Sequence, residues 1–271
     1  NTGRYNWALF EVLADTQHKV HVLSPLHLKK SIGLVRGKND VVDAIRIASF
    51  VEKNHEELRV WISPSISIQK LKVLIAERNT RIKSRAGLKS QQHDYNKMRK
   101  IGIANSLQNL NDELVQLYTE QIKQIEAQIE EIIEVDELLN KQRKLIQTIP
   151  GVGKVLSWIM LSKTEGFSTI NDPRKMACYS GVVPFDYQSG TSINGKKRVS
   201  CYADKSIKSI LHLAAMSAIR LDNDLKTYYL RKVESGKNKM SVLNAIRNKI
   251  IHRIFAVIKN NQPYQKNFVL S

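Results

Sequence analysis

Two aspartates three residues apart, Asp40 and Asp43, follow the run Arg36-Gly37-Lys38-Asn39 and open an amphipathic segment. At a helix start this spacing puts both carboxylates on one face, about one turn apart. Mg2+ takes oxygen ligands from one or two carboxylates and completes its shell with water and phosphate, so the pair beside Lys38 suits phosphoryl transfer. The same residues also fit a helix start without metal, with Asp40 as N-cap and Asp43 at N3 favouring the helix dipole.

A second constellation is Gln188-Ser189-Gly190-Thr191, followed within ten residues by Asn194-Gly195-Lys196-Lys197-Arg198. A Ser-Gly step in a loop, close to three cations, can present a hydroxyl to a phosphodiester whose charge is neutralised nearby. Ser-Gly loops are also common structural features, and Ser180 of Tyr179-Ser180-Gly181 scores the same as Ser189 on composition. Upstream, Ile149-Pro150-Gly151-Val152-Gly153-Lys154 precedes an apolar helix over Val155 to Leu161 and looks like the hairpin of a helix-hairpin-helix unit. There Gly151, Gly153 and Lys154 would meet a phosphate backbone, with N–H groups of the next helix start pointing outward. No GxSxG elbow supports acyl transfer, and no strand precedes the glycines as a dinucleotide site requires. His18 and His21 have unsuitable spacing for zinc, and Cys178 and Cys201 read as small buried hydrophobes in a reducing compartment.

The elements that must position these residues follow from periodicity. Residues 4–15 place Tyr5, Leu9, Val12 and Leu13 on one helical stripe. His18 to Leu23 alternates as a short strand, and Asp40 to Lys53 forms a further helix. This order is expected of an α/β sandwich entered partway. Residues 66–103 read as a basic helix whose Lys and Arg suit a phosphate backbone, with a plain solvated face as the alternative.

From Leu107 to Gln147 apolar residues recur at spacings of three and four, Leu107, Leu110, Leu114 and Leu117, then after a one-residue shift Tyr118, Ile122, Ile125, Ile129 and Ile132. This predicts a long coiled-coil helix pairing with another copy, or packing back on its own chain. Lys205 to Leu221 and Met240 to Lys259 complete the helices. The expected domains are therefore 1–106, 107–147 and 148–271, the last mainly α-helical.

The chain has 271 residues, 43 Lys and Arg against 25 Asp and Glu, and a net charge of +18. The excess is uneven: residues 1–106 carry 19 basic and 9 acidic groups, residues 107–147 carry 4 and 9, and residues 148–271 carry 20 and 7. Two basic modules flank an acidic rod, a layout that points to a nucleic-acid partner. No apolar run is long enough to span a membrane, and no basic amphipathic anchor stands out. A bacterial cytoplasmic protein is expected. The start at Asn1, without a signal peptide, reads as a piece of a longer protein.

Taken in order, GKNDVVDAIRIA, a coiled coil, IPGVG, YSGVVP, QSG and KIIHRIFAVIKNNQPY resemble the DEDD-type insertion-sequence transposases of the IS one-ten group, related to the Piv DNA invertases. The likeness runs through essentially the whole chain. It implies a RuvC-like, RNase H-fold domain, amino-terminally truncated here, then the coiled coil and a serine-containing transposase domain. Asp40 and Asp43 match the last two acids of the family's four, and Ser189 matches its serine nucleophile. The family's glutamate would stand immediately before Asn1, and its first aspartate further upstream.

The resemblance further implies Mg2+ as cofactor, donor and target DNA as substrates, a structured bridge RNA as guide, and a phosphoserine link to DNA. Lys38, Gly190, Lys196, Lys197 and Arg198 would contact nucleic acid, and the coiled coil would join copies into a homo-oligomer. The rival readings are a hydrolytic RuvC-like junction nuclease, a non-catalytic nucleic-acid-binding remnant and a site-specific DNA invertase.

Overall fold

A computed structural model describes residues 7–33, 39–98, 100, 102–189 and 193–265, and the chain divides into two units, Asn1–Ser65 and Ile66–Ser271. Among the described residues no helix is long and apolar enough to cross a membrane.

The first unit holds α1 (Trp7–Ala14), α2 (Pro25–Ile32) and α3 (Asp40–Asn54). Pro25 sits in the first turn of α2, where its missing N–H costs nothing, and Gly33 ends that helix at φ 78°. The α3 helix is capped by Asn39, whose side chain accepts from the Val41 N–H at 2.9 Å. Asn39, and not Asp40, is therefore the N-cap, and Asp40 and Asp43 both lie in the first turn. His27 of α2 meets Phe50 of α3 edge to face.

The strand expected over His18 to Leu23 is not formed. Across to residues 59–65 this segment shows a backbone bond from Trp61 N–H to Val20 O at 2.7 Å, beside a contact of His21 Nδ1 with Arg59 O at 3.0 Å, and no strand is assigned to it. One rung does not make a ladder, so among its described residues this unit shows helices and no sheet in place of the expected α/β sandwich.

The second unit begins with two 32-residue helices, α4 (Ile66–Lys97) and α5 (Ala104–Val135), folded into an antiparallel hairpin. Its rungs run in opposite directions along the chain: Arg78 to Glu126, Arg81 to Gln121, Arg85 to Thr119 and Gln92 to Asp112. Isoleucines 125, 129 and 133 of α5 are buried in a core that also takes Ile68, Leu71 and Ile75 of α4, and Ile122 is buried on the same helix. The helix expected to continue to Gln147 breaks at Asp136. There the backbone turns extended, and the Asp136 carboxylate caps α6 (Glu137–Gln147) by accepting from Leu139 N–H at 3.1 Å.

Behind α6 come α7 (Lys154–Thr164), α8 (Pro173–Tyr179), a hairpin of β1 (Phe185–Ser189) and β2 (Ile193–Arg198), then α9 (Lys205–Ala218), α10 (Asp224–Glu234) and α11 (Lys239–Asn260). Helix α7 is buried on nearly every side, which explains its apolar run from Leu156 to Leu161. It packs on α4, α6 and α9, while α11 packs on α6, α8, α9 and α10. The turn before α7 depends on Gly151, which has φ 84° and would place a Cβ 2.4 Å from the Ala214 carbonyl oxygen of α9. At Gly153, by contrast, a Cβ meets nothing within 4 Å.

The β1–β2 hairpin is rooted at both ends. Asp204 N–H donates to Tyr179 O at 2.8 Å, joining the residue that leads into the hairpin to the one that follows it. The Asp204 carboxylate caps α9 through the Ser206 and Ile207 N–H groups and pairs with Lys163 of α7 at 2.9 Å. Burial opposes ionisation of Asp204, but hydrogen bonds from Ser206 and Lys163 and the Lys163 charge outweigh it and hold the carboxyl below its ordinary range.

Two outcomes follow for stability. Gly151→Ala is expected to destabilise the second unit by about 2–4 kcal/mol through strain and overlap with α9, and Gly153→Ala by less than about 1 kcal/mol, measured by denaturant unfolding. Asp204→Asn keeps an N-cap but removes the charge, and is expected to cost about 1 kcal/mol at neutral pH. Because the folded carboxyl titrates low, that difference should be complete at neutral pH and fade as pH falls below about 4, as unfolding curves at several pH values would show.

Candidate active site

The aspartate pair lies in the first unit. Asp40 is exposed and Asp43 half-buried at the start of α3, and Asp43 is held by Arg46 one turn on, at 3.1 Å. Two hard oxygen donors open to solvent at a helix start leave room for water and phosphate oxygens, a donor set that fits Mg2+ as part of its shell. Two carboxylates alone do not make a complete cage, and among the described residues no group of three or more His, Cys, Asp or Glu could hold a metal. Lys38 lies outside the described residues.

The second unit contributes the serine. Ser189 is the last residue of β1, opposite Ile193, immediately before the hairpin tip. The hydroxyl of Ser189 and the tip residue Gly190 lie outside the described residues, as do the side chains of Lys196, Lys197 and Arg198. The backbone is described, and it corrects two expectations. Ser189 closes a strand and does not sit in an open loop, and the cationic segment is the strand β2 and not a turn. Antiparallel pairing from Phe185↔Arg198 to Ser189↔Ile193, with an irregularity between Phe185 and Tyr187, brings the backbone of the cationic strand alongside that of the serine strand.

Ser180 is excluded as the nucleophile. It is fully buried, and its hydroxyl donates to Met176 O at 2.8 Å and to Ala177 O at 3.3 Å, so it closes the end of α8. Gly181 follows at φ 65°, where a Cβ would stand 2.6 Å from that of Ala203, and Asn244 of α11 donates to Val182 O at 2.6 Å. These contacts fix the chain immediately before β1.

The glycine-rich turn is divided in its duties. Gly151, expected to approach a phosphate, instead lets the backbone approach α9. Gly153 is the N-cap of α7 without a side-chain cap, and Lys154 is 66% exposed with its ammonium 3.4 Å from Glu130. The α7 amino terminus thus has no side-chain cap, and the cation beside it faces the Glu130 carboxylate. The basic helix α4 is likewise reduced as a nucleic-acid face, since Arg78, Arg81 and Arg85 are bonded to α5. The residues that hold the serine hairpin, Lys163, Asp204 and Asn244, carry no local spacing signal. They are far apart in the chain, and no motif joins them.

Comparison with known proteins accords with both halves of this arrangement. A family profile described as "Transposase", of the DEDD IS110 type, matches residues 1–95, which include Asp40 and Asp43. A second, "Transposase IS116/IS110/IS902 family", matches residues 143–230, from α6 through the serine hairpin into α10. The pilin gene-inverting protein of Moraxella bovis is 27% identical over 270 residues, covering 98% of this chain and 80% of that protein, and the pilin gene-inverting protein of Moraxella lacunata is similar to the same extent. A protein of the insertion element IS110 of Streptomyces coelicolor is 26% identical over 146 residues, 54% of this chain and 35% of its own length. Two profiles of one transposase family, in order along the chain, together with relatives from both insertion elements and gene inversion, establish that the chain belongs to the IS116/IS110/IS902 family of transposases.

Proposed function

We propose that the chain is a DNA recombinase that cuts and rejoins strands through Ser189, with Mg2+ held in part by Asp40 and Asp43. The observation that carries this reading is the β1–β2 hairpin within the transposase match, which ends one strand on Ser189 and pairs it with the strand carrying Lys196, Lys197 and Arg198. In the first step the Ser189 oxygen forms a bond to phosphorus, the bond from phosphorus to one deoxyribose oxygen breaks, and that oxygen leaves as a hydroxyl after taking up a proton. The phosphoserine diester conserves the bond, so a hydroxyl of another strand can attack it and release the serine. Mg2+ supplies charge neutralisation at a phosphate. Lys38, Gly190 and the three cations of β2 grip the backbone, together with Gly153 and Lys154 at the α7 start.

Donor and target DNA are the substrates in this reading, and a structured RNA selects them by base pairing, which leaves the protein to hold backbones. Copies assemble through the outer face of α5. There Ile103, Leu107, Leu110, Leu114 and Leu117 recur at spacings of four and three, and Leu110, Leu114 and Leu117 are exposed. A run of apolar heptad positions facing solvent is the pattern of a helix-pairing seam. The first unit belongs to a RuvC-like domain in the same reading, with further acids on residues outside this chain. A second reading, site-specific inversion of DNA, is favoured by the near full-length likeness to the pilin gene-inverting proteins. It uses the same chemistry and differs in whether the product is an inverted or a transferred segment.

Ser189→Ala, in a full-length protein carrying this chain, is expected to abolish covalent protein–DNA product trapped on a denaturing gel. Persistence of that product, or hydrolytic cleavage undiminished by the substitution, would reject the serine and favour a nuclease dependent on Asp40 and Asp43. For assembly, Leu110→Glu with Leu114→Glu is expected to reduce the oligomer to a monomer in sedimentation equilibrium while leaving the melting temperature within a few degrees of the parent, since both side chains are exposed.

A further inference from the structure

Arg247 of α11 is 5% exposed, and among the described residues no carboxylate pairs with its guanidinium. Its Nη2 meets His212 Nδ1 of α9 at 2.8 Å, its Nη1 donates to Asn244 Oδ1 one turn back along α11 at 3.3 Å, and its buried Nε has no partner. Arginine only donates, so His212 Nδ1 is the acceptor of that bond. Burial alone pushes the guanidinium below the ordinary arginine range. A buried cation without an acid costs stability that a neutral side chain of similar volume would not, so packing does not account for it. The bonds around Arg247 instead join the two roots of the serine hairpin. Asn244 Nδ2 donates to Val182 O at 2.6 Å, just before β1 begins. Asp204, beyond the end of β2, is bonded to Tyr179 O and caps α9, the helix that carries His212.

We propose that Arg247 is a positioning residue for the Ser189 strand, a fork that locks α11 to α9 and so sets the entry of the hairpin against its exit. A planar guanidinium sends N–H groups to acceptors on two helices in one fixed geometry, which a compact ammonium does not. The Asn244 carboxamide is thereby held with its oxygen on Arg247 and its nitrogen on Val182, and the chain leaving Val182 enters β1 on one course. A reacting atom misplaced by about 1 Å can lose about a hundredfold in rate, so bonds at the root of the strand act on chemistry at its end. The inference rests on the reading of Ser189 as nucleophile and adds to it the residue that orients its strand.

Two measurements test it. Hydrogen exchange by mass spectrometry on the 271-residue chain reads the amides of β1 and β2, and covalent product formed by the full-length protein at saturating and at limiting DNA separates rate from affinity. Arg247→Met removes an uncompensated buried charge, so the melting temperature is expected to stay within a few degrees of the parent while the β1 amides exchange about tenfold faster. In the same variant covalent product at saturating DNA should form about tenfold more slowly, with DNA affinity unchanged. Arg247→Lys, which keeps the charge without the fork, should behave as Arg247→Met. His212→Leu, which lacks the acceptor, should do the same, and His212→Asn, whose Oδ1 stands where Nδ1 stood, should behave as the parent. Hairpin exchange unchanged in Arg247→Met, a rise spread evenly over the whole unit, an unchanged rate of product formation, or a His212→Asn protein no better than His212→Leu overturns the proposal. A parent that forms no covalent product overturns the serine reading alone, and the exchange measurement still decides whether Arg247 holds the strand.

Discussion

The second unit depends on the pairing of one basic and one acidic helix. Between Ile66 and Lys97, α4 has eight Lys and Arg against two acids, and between Ala104 and Val135, α5 has seven acids against one Lys. Each charged rung between them is at least partly open to solvent and contributes at most about 1 kcal/mol. The isoleucines at 122, 125, 129 and 133 contribute more, at about 1.5–3 kcal/mol for each side chain fully buried. Burial therefore supplies the stability. The polar rungs act against alternatives: two copies of α5 laid side by side along this face would bring acids together, whereas α4 brings Arg78 to Glu126 and Arg81 and Arg85 to Gln121 and Thr119.

That pairing explains the one-residue shift in the apolar pattern of α5. A single seam would drift around a straight helix, but the structure shows two stripes with separate destinations. The stripe through Ile122, Ile125, Ile129 and Ile133 turns inward to α4 and the core, and the stripe through Leu110, Leu114 and Leu117 stays outside. The change from one to the other falls at Leu117 and Tyr118, where the sequence pattern skips. A helix that fixes its own fold with one half and offers an apolar face with the other can be stable before it meets a partner.

The long helices were legible because thirty residues of period 3.5 leave little ambiguity, and α9 and α11 because their apolar stripes are regular. The partner of α5 was not legible, since a heptad pattern specifies a face and not what covers it. The serine hairpin was missed for a different reason. Phe185-Asp186-Tyr187-Gln188-Ser189 is a short strand of mixed polarity, and the ladder that stabilises it lies on Ile193 to Arg198, a segment rich in Lys and Gly that lacks strand propensity. At Gly151 the residue type was read correctly as a demand for close approach, but the approaching body was α9 and not a phosphate. Glycine reports that space is tight without naming the neighbour. Asp40 and Asp43 were read on one helix start, and the structure shows both in the first turn of α3, with Asn39 as the cap.

Net charge takes on a different meaning once the pairing is known. The basic excess of residues 1–106 includes the cations of α4, which lie along an acidic helix, with Arg78 paired to Glu126, so they add less to a long-range field than their number suggests. What remains to attract a polyanion is carried chiefly by exposed cations of the carboxy-terminal segment, where residues 148–271 hold 20 basic and 7 acidic groups. Two of those acids, Asp204 and Asp224, are engaged by Lys163 and Arg253. Electrostatic attraction of a polyanion is therefore weighted toward the carboxy-terminal segment.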